Sequence, residues 1–182
     1  LLERTLRNTV TKGVTTLHRF NRKRMAAPGT PNPYLSGPNE PMTGEFTLEL
    51  PPVHGRIPPE LDGCYARIGP NPIAKVNPAN HHWFMGDGMV HGVRLQDGKA
   101  RWYRNRWIRS TQVSQALGEP PAPGPRRGSD TVNTNVLAHA GKLWALVEAG
   151  GYPVQLSATL DTVAHDPFGG SLKGSFSAHP HL

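Results

Sequence analysis

This chain contains enough histidines to supply several ligands to a metal ion. The 182 residues include nine histidines but a single cysteine, which leaves no Cys-rich metal centre. A neutral imidazole is a good ligand for ferrous iron and other first-row metals. A lone histidine is more often a surface residue than a ligand. The one with the most distinctive surroundings is His179, in the string Phe176-Ser177-Ala178-His179-Pro180.

A second group of histidines surrounds the turn Gly86-Asp87-Gly88 and consists of His81, His82 and His91. It could hold a separate metal ion, but we favour a structural role because this arrangement gives no convincing ligand geometry. Asp87 lacks the further acidic residues of a calcium loop, and the turn lacks the Lys-Ser/Thr end of a phosphate-binding loop. The histidines without a supporting motif are His139, His165 and His181.

The elements that must position these residues are predicted to be short β-strands. Twenty glycines and nineteen prolines divide the sequence into short runs, which favours strands and loops over helices. Asp97-Gly98 is a hairpin signal because both positions tolerate positive φ, and Ala140-Gly141 is a second candidate. The pattern alone predicts an all-β antiparallel fold, either a sandwich or a propeller. The predicted strands cover residues 46–50, 64–68, 89–95, 100–108, 134–138 and 143–148.

Two further predictions concern side chains on or near these strands. Cys64 is predicted to be a buried strand thiol, and because one cysteine cannot form an internal disulfide, a reducing, cytoplasmic location is the simpler expectation. The aromatic pairs Trp83/Phe84 and Tyr103/Trp107 are predicted to pack in the core, with a place in a substrate tunnel as the alternative.

Residues 1–26 are predicted to form a short basic amphipathic leader helix. Over residues 1–24 the apolar side chains recur at helical spacing within an arc of about 120°, and the stretch carries seven basic residues against one acidic residue. Such a helix could lie on an anionic membrane surface. The alternatives are a helix packed on the parent protein and a disordered leader. The sequence shows no apolar run long enough to cross a bilayer and no secretory signal pattern.

The rest of the chain divides into a linker and a folded region. Residues 27–44 are rich in proline and glycine and are predicted to form a linker, whereas residues 45–182 hold all the strand candidates. This region is nearly neutral and contains no nucleic-acid-binding module, so a nucleic-acid partner is not expected. Because the chain starts at Leu1 and stops shortly after His179, we expect it to be part of a longer protein.

Several uncommon strings follow one another in a single order along residues 32–180. They are Asn32-Pro33-Tyr34-Leu35, Gly55-Arg56-Ile57-Pro58, Leu61-Asp62-Gly63, Arg67-Ile68-Gly69-Pro70-Asn71-Pro72, His82-Trp83-Phe84-Met85-Gly86-Asp87-Gly88-Met89-Val90-His91, Tyr103-Arg104-Asn105-Arg106, Asn133-Thr134-Asn135-Val136, Leu146-Val147-Glu148 and Phe176-Ser177-Ala178-His179-Pro180. In this order they resemble the carotenoid cleavage oxygenase family. The ordered set is far more specific than any single string.

The resemblance implies that residues 45–182 form the first blades of a seven-bladed β-propeller. It also implies Fe(II) at the propeller axis, held by four histidines from different blades, with three glutamates behind them. His179 looks like the first of these histidines. Glu148 looks like the first of the glutamates, which in the family orients a histidine that comes later in the chain. A carboxylate that accepts the second ring N–H of such a ligand fixes its tautomer and direction.

The resemblance further implies an Fe(II)-dependent dioxygenase. With O2 it would cleave a conjugated carbon–carbon double bond of a carotenoid, apocarotenoid or stilbene-like substrate and give carbonyl products. The chain by itself would be inactive, since one histidine cannot replace four. The alternatives are a non-catalytic or isomerising family member and a β-rich, membrane-associated binding module.

Overall fold

The computed structural model describes residues 31–79, 81–148 and 150–181. The leader helix predicted for residues 1–26 lies outside this part. The described residues fall into two compact units: one comprises residues 31–41, 75–79 and 81–83, and the other comprises residues 42–74, 84–148 and 150–181. None of the described helices is long and apolar enough to cross a membrane.

The described part of the first unit is built from short turns. Two single 3-10 turns cover Pro33–Leu35 and Gly37–Asn39. The side-chain amide of Asn32 donates to the carbonyl oxygens of Pro78 and His81, at 2.7 and 3.0 Å. These bonds connect two stretches that are 46 and 49 residues apart in sequence.

The second unit contains two antiparallel sheets of four strands each, and a short helix, α1 (Thr111–Leu117), follows the first sheet. Sheet A has the order β1-β4-β3-β2, and sheet B has the order β5-β6-β7-β8. The strands are β1 (Thr47–Glu49), β2 (Gly63–Pro70), β3 (Gly88–Gln96), β4 (Lys99–Trp107), β5 (Asn135–His139), β6 (Lys142–Leu146), β7 (Val154–Leu156) and β8 (Thr162–His165). The predicted all-β fold is confirmed, and each of the six predicted strands is present.

The two hairpin turns predicted from the sequence are also confirmed. Asp97 and Gly98 connect β3 to β4 with φ values of 51° and 68°. Ala140 and Gly141 connect β5 to β6 with φ values of 50° and 71°. Two successive positive φ values define the turn type whose twist matches that of the adjoining strands.

The main hydrophobic core lies between the two sheets. Along β6, Ala145 faces this core while its neighbours Trp144 and Leu146 point to the opposite face, as the two-residue period of a strand requires. Burial of each Val or Leu side chain contributes about 1.5–3 kcal/mol. The buried members are Val90, Ile108, Val132, Ala145, Val147, Val154, Leu156 and Leu160.

Helix α1 was not predicted, although its ends carry ordinary capping residues. The hydroxyl of Ser110 accepts a hydrogen bond from the backbone N–H of Val113 at 3.2 Å, and Gly118 ends the helix with a φ of 68°. The helix has only seven residues, and only Val113 and Ser114 are buried. Such a short segment shows no recurring apolar spacing from which a helix could be predicted. The helix contributes Val113 to a second, smaller core cluster with Met89 and Trp107.

Two side-chain predictions need correction. Cys64 lies on a strand as predicted, but it is exposed because β2 is an edge strand of sheet A. Trp83 and Phe84 are not core residues: their side chains are 45% and 73% exposed, because both lie in the loop before β3. Trp107, by contrast, is buried as predicted, and its indole N–H donates to the carbonyl oxygen of Asn71 at 2.9 Å.

Candidate metal-binding end of sheet B

The start of β5 and the end of β6 lie side by side at one end of sheet B. Asn135, the first residue of β5, pairs with Leu146, the last residue of β6. The backbone N–H of Thr134 donates to the carbonyl oxygen of Leu146 at 3.2 Å, which extends the pairing by one residue. Glu148 follows Leu146 by two residues. The strand pairing therefore brings Glu148 to this end of the sheet.

The segment that carries His179 reaches the same end of the sheet. The side-chain amide of Asn135 donates a 2.8 Å hydrogen bond to the carbonyl oxygen of Ala178. Ala178 is almost completely buried, with 1% of its surface exposed. His179 comes directly after this fixed peptide group. The fold thus places the two residues singled out from the sequence, Glu148 and His179, on chain segments that flank the start of β5.

His179 and Glu148 both carry side chains that are open to a further partner. Both residues are exposed, and within the described residues neither the imidazole of His179 nor the carboxylate of Glu148 has a hydrogen-bond partner. An imidazole with both ring nitrogens unengaged can bind a metal ion through one and donate an N–H through the other. An exposed carboxylate can accept such an N–H from another histidine. The donor types therefore fit part of a histidine-rich iron site.

The other histidines have different surroundings. His91 lies on β3, and its Nδ1 is 2.9 Å from the hydroxyl of Tyr103 on β4. Burial lowers the pKa of His91, and the adjacent Arg67 lowers it further. The ring of His82 packs against that of Tyr34 with centroids 5.1 Å apart. Among residues 31–79, 81–148 and 150–181, no three His, Cys, Asp or Glu side chains converge on a possible metal position.

Asp87 has a structural role, because its carboxylate binds groups of the protein itself. Its carboxylate accepts the backbone N–H of Ile73 at 3.0 Å, and the side-chain amide of Gln112 approaches it at 3.5 Å. Burial raises the pKa of the Asp87 carboxyl above its ordinary value. Asp87 therefore connects the loop before β3 to Ile73 and to helix α1.

An aromatic groove on the face of sheet B that carries Trp144 and Leu146 was not foreseen from the sequence. Trp144 on β6 contacts Phe168, and Phe168 contacts Phe176, with ring centroids 5.0 and 4.9 Å apart. These rings, together with Leu137, Leu146 and Pro180, line a groove of about 820 Å³. Phe168 and Phe176 lie in irregular loops, where no strand or helix period marks them as apolar-facing.

The chain matches a known family over most of its length. Residues 39–182 match the model of the family described as Retinal pigment epithelial membrane protein. A carotenoid cleavage oxygenase of Mycobacterium tuberculosis is 56% identical over 153 residues, which cover 82% of this chain and 30% of that protein.

Two solved structures are similar to this fold. The lignostilbene dioxygenase of Pseudomonas brassicacearum gives a TM-score of 0.69 at 27% identity, over 87% of this chain and 35% of that one. The cobalt-substituted apocarotenoid oxygenase of Synechocystis gives a TM-score of 0.64 at 27% identity, over 77% and 33%. The chain therefore spans about a third of the length of the relatives it matches.

Sheets A and B are thus blades of the β-propeller on which carotenoid-cleaving and stilbene-cleaving oxygenases are built. The chain belongs to the carotenoid cleavage oxygenase family.

Proposed function

We propose that the full-length polypeptide containing residues 1–182, called here the parent polypeptide, is an Fe(II)-dependent dioxygenase. Its substrate is a conjugated, apolar molecule of the carotenoid, apocarotenoid or stilbene class. The reaction cleaves one carbon–carbon double bond with O2 and gives two carbonyl products.

The observation that carries this proposal is the placement of His179 and Glu148 at one end of a propeller blade. The hydrogen bond from Asn135 to Ala178 and the pairing of Asn135 with Leu146 bring the two segments together. Support for the substrate class comes from relatives that are carotenoid, apocarotenoid or lignostilbene oxygenases. The chain covers only part of those relatives, so the other ligands would come from residues outside it.

In this proposal the two residues have different tasks. Bound ferrous iron would supply the activation of O2. His179 would contribute one neutral imidazole to the metal. Glu148 would accept the ring N–H of a ligand histidine from elsewhere in the parent polypeptide, and in doing so would select its tautomer and hold its direction.

The test compares metal content and activity of the parent polypeptide with those of two variants. His179→Ala is expected to lose at least nine-tenths of the bound iron, measured by elemental analysis, together with O2 consumption on an apocarotenoid or stilbene. His54→Ala, which changes an exposed histidine on a different loop, is the matched control and should retain both. Unchanged iron in His179→Ala would refute the metal site.

The products distinguish the dioxygenase from its rivals within the family. Reaction under isotopically labelled O2 should give two carbonyl products that both carry label, detected by mass spectrometry. Iron binding with a rearranged, uncleaved substrate would instead indicate an isomerising protein. Substrate binding without iron would indicate a binding module. Residues 1–182 expressed alone should bind no stoichiometric iron, since they supply one ligand histidine.

The proposal also assigns a role to residues 1–24, which would contact the surface of a membrane. The apolar arc and the seven cationic side chains of this stretch support this role, because they suit an interface with anionic lipid. Deleting residues 1–24 from the parent polypeptide should reduce co-sedimentation with vesicles that contain anionic lipid. Equal sedimentation with and without the stretch would count against it.

A further inference from the structure

The hydrogen bond between Asn135 and Ala178 is a long-range contact that holds the chain next to His179. It spans 43 residues of sequence, and its length is 2.8 Å. The donor belongs to the first residue of β5, whose backbone is paired with β6. The acceptor is the peptide carbonyl that immediately precedes His179. A paired strand is a rigid support, so the amide of Asn135 can determine where this peptide lies.

Four other local features restrict the same short segment. The side chain of Ala178 is buried, and the backbone N–H of His179 donates to the hydroxyl of Ser177 at 3.1 Å. Pro180 follows His179 and disfavours a helical conformation at the histidine. Upstream, Phe176 packs against Phe168. These features restrain the conformation of the segment, whereas Asn135 ties it to the sheet.

The amide of Asn135 is chemically specific for this task. Its NH2 group donates to a carbonyl oxygen, whereas an aspartate of the same shape would place an anionic oxygen against that carbonyl. An alanine would leave the carbonyl without this partner. Loss of a single hydrogen bond of this kind removes only a small part of the stability of a domain and is too little by itself to unfold it.

We propose that Asn135 is a positioning residue for the metal site: through the carbonyl of Ala178 it holds the backbone that directs the imidazole of His179. This inference depends on the metal role of His179 proposed above. Asn135 itself would not touch the metal. Its effect should therefore appear in metal affinity and coordination geometry before it appears in overall stability.

The experiment uses the iron-free parent polypeptide titrated with Co2+, whose visible absorption reports the coordination geometry. The variants are Asn135→Ala and the isosteric Asn135→Asp. Both are expected to weaken Co2+ binding about tenfold, the lower end of the loss seen when a group that supports a metal ligand is removed. Both should also change the shape of the cobalt absorption band. Melting temperatures measured without metal should fall only slightly.

The matched control is Asn105→Ala in sheet A. Asn105 is fully buried; its side-chain amide donates to the carbonyl oxygen of Gly44 at 3.0 Å, and its side-chain oxygen accepts the backbone N–H of Phe46 at 2.5 Å. The variant therefore loses more hydrogen bonds than Asn135→Ala does, at a place far from His179 in the sequence. It should lower the melting temperature and leave Co2+ affinity and spectrum unchanged. Equal weakening of Co2+ binding in Asn105→Ala and Asn135→Ala would overturn the inference, because the effect would then be general loosening.

His179→Ala separates the two proposals. If His179→Ala abolishes Co2+ binding while both Asn135 variants keep the normal affinity and spectrum, the positioning role is wrong and the metal site stands. If His179→Ala itself binds Co2+ normally, the proposed metal site is wrong. Should Asn135→Ala fail to fold, Asn135→Asp and Asn135→Ser, which retains a shorter donor, supply the same comparison.

Discussion

Gly88, the first residue of β3, lies directly against the peptide carbonyl of Val132 in the segment that leads to sheet B. A Cβ atom added at Gly88 would come within 1.8 Å of the carbonyl oxygen of Val132. Both residues are buried. The two blades can approach this closely at that point only because Gly88 has no side chain.

Gly88→Ala is therefore expected to destabilise the parent polypeptide by about 3 kcal/mol, since the obstacle is backbone and cannot move aside without separating the sheets. The melting temperature by differential scanning calorimetry checks this. Gly63→Ala is the control, because Gly63 begins β2 and has no atom within 4 Å of an added Cβ. Similar melting temperatures for the two variants would contradict the close contact.

Arg109 joins two carboxylates from distant parts of the chain. Its guanidinium donates to Glu45 at 2.5 and 3.1 Å and to Glu119 at 2.6 and 3.1 Å. Burial opposes the charge, but the hydrogen bonds to Glu45 and Glu119 outweigh it and raise the pKa of Arg109.

Arg109→Lys should cost about 1–3 kcal/mol, because an ammonium group cannot make two bidentate contacts at once. Arg101→Lys is the control: its partner Asp97 is 72% exposed, and such a pair contributes about 0–1 kcal/mol. Chemical denaturation followed by tryptophan fluorescence measures both. An equal loss in the two variants would count against the double ion pair.

His165 is expected to make the stability of the fold depend on pH. Its Nε2 lies 3.1 Å from the carbonyl oxygen of Arg109, and its buried Nδ1 has no hydrogen-bond partner. Burial lowers the pKa of His165 and Arg126 lowers it further, while the bond to Arg109 and the charge of Asp130 oppose this in part. The folded protein therefore keeps the ring neutral to lower pH than the unfolded chain does.

As the pH falls below about 6.5, the His165 ring is protonated in the unfolded chain but stays neutral in the folded protein. The free energy of unfolding therefore decreases with falling pH until the folded-state pKa of His165 is reached. His165→Gln keeps a donor near the Arg109 carbonyl but cannot be protonated. The melting temperature of this variant should fall less between pH 7 and pH 5 than that of the natural sequence. Parallel pH profiles would show that His165 is not responsible.

Asp87 should prove to be a buried acceptor and not a cation ligand. Asp87→Ala leaves the N–H of Ile73 without its acceptor and should cost about 1–3 kcal/mol. Asp87→Asn retains a carbonyl oxygen at the same place and should cost less than about 1 kcal/mol, since burial already disfavours the carboxylate. Thermal melts with and without Ca2+ check this, and a Ca2+-dependent increase in stability lost in Asp87→Asn would contradict it.

The sequence by itself was enough to predict β1 to β6, because each is a run of apolar or alternating residues bounded by glycine, proline or a hairpin pair. Strands β7 and β8 were missed, since three and four residues are too short to show a period. Cys64, Trp83 and Phe84 were wrongly predicted to be buried. The exposure of these side chains depends on which strand lies at a sheet edge and which segment remains a loop. Neither can be predicted from the local amino-acid composition.

For the candidate site, the sequence alone supplied the residue types and the motifs that single out Glu148 and His179, along with their resemblance to a family. The tertiary structure alone decided that the two segments meet at the start of β5 and that Asn135 connects them. The reason is physical: the donor and acceptor of this hydrogen bond are 43 positions apart, so the path of the whole intervening chain, including β6 and the loop with Phe168 and Phe176, decides whether they meet. Such a contact cannot be predicted from a local sequence pattern.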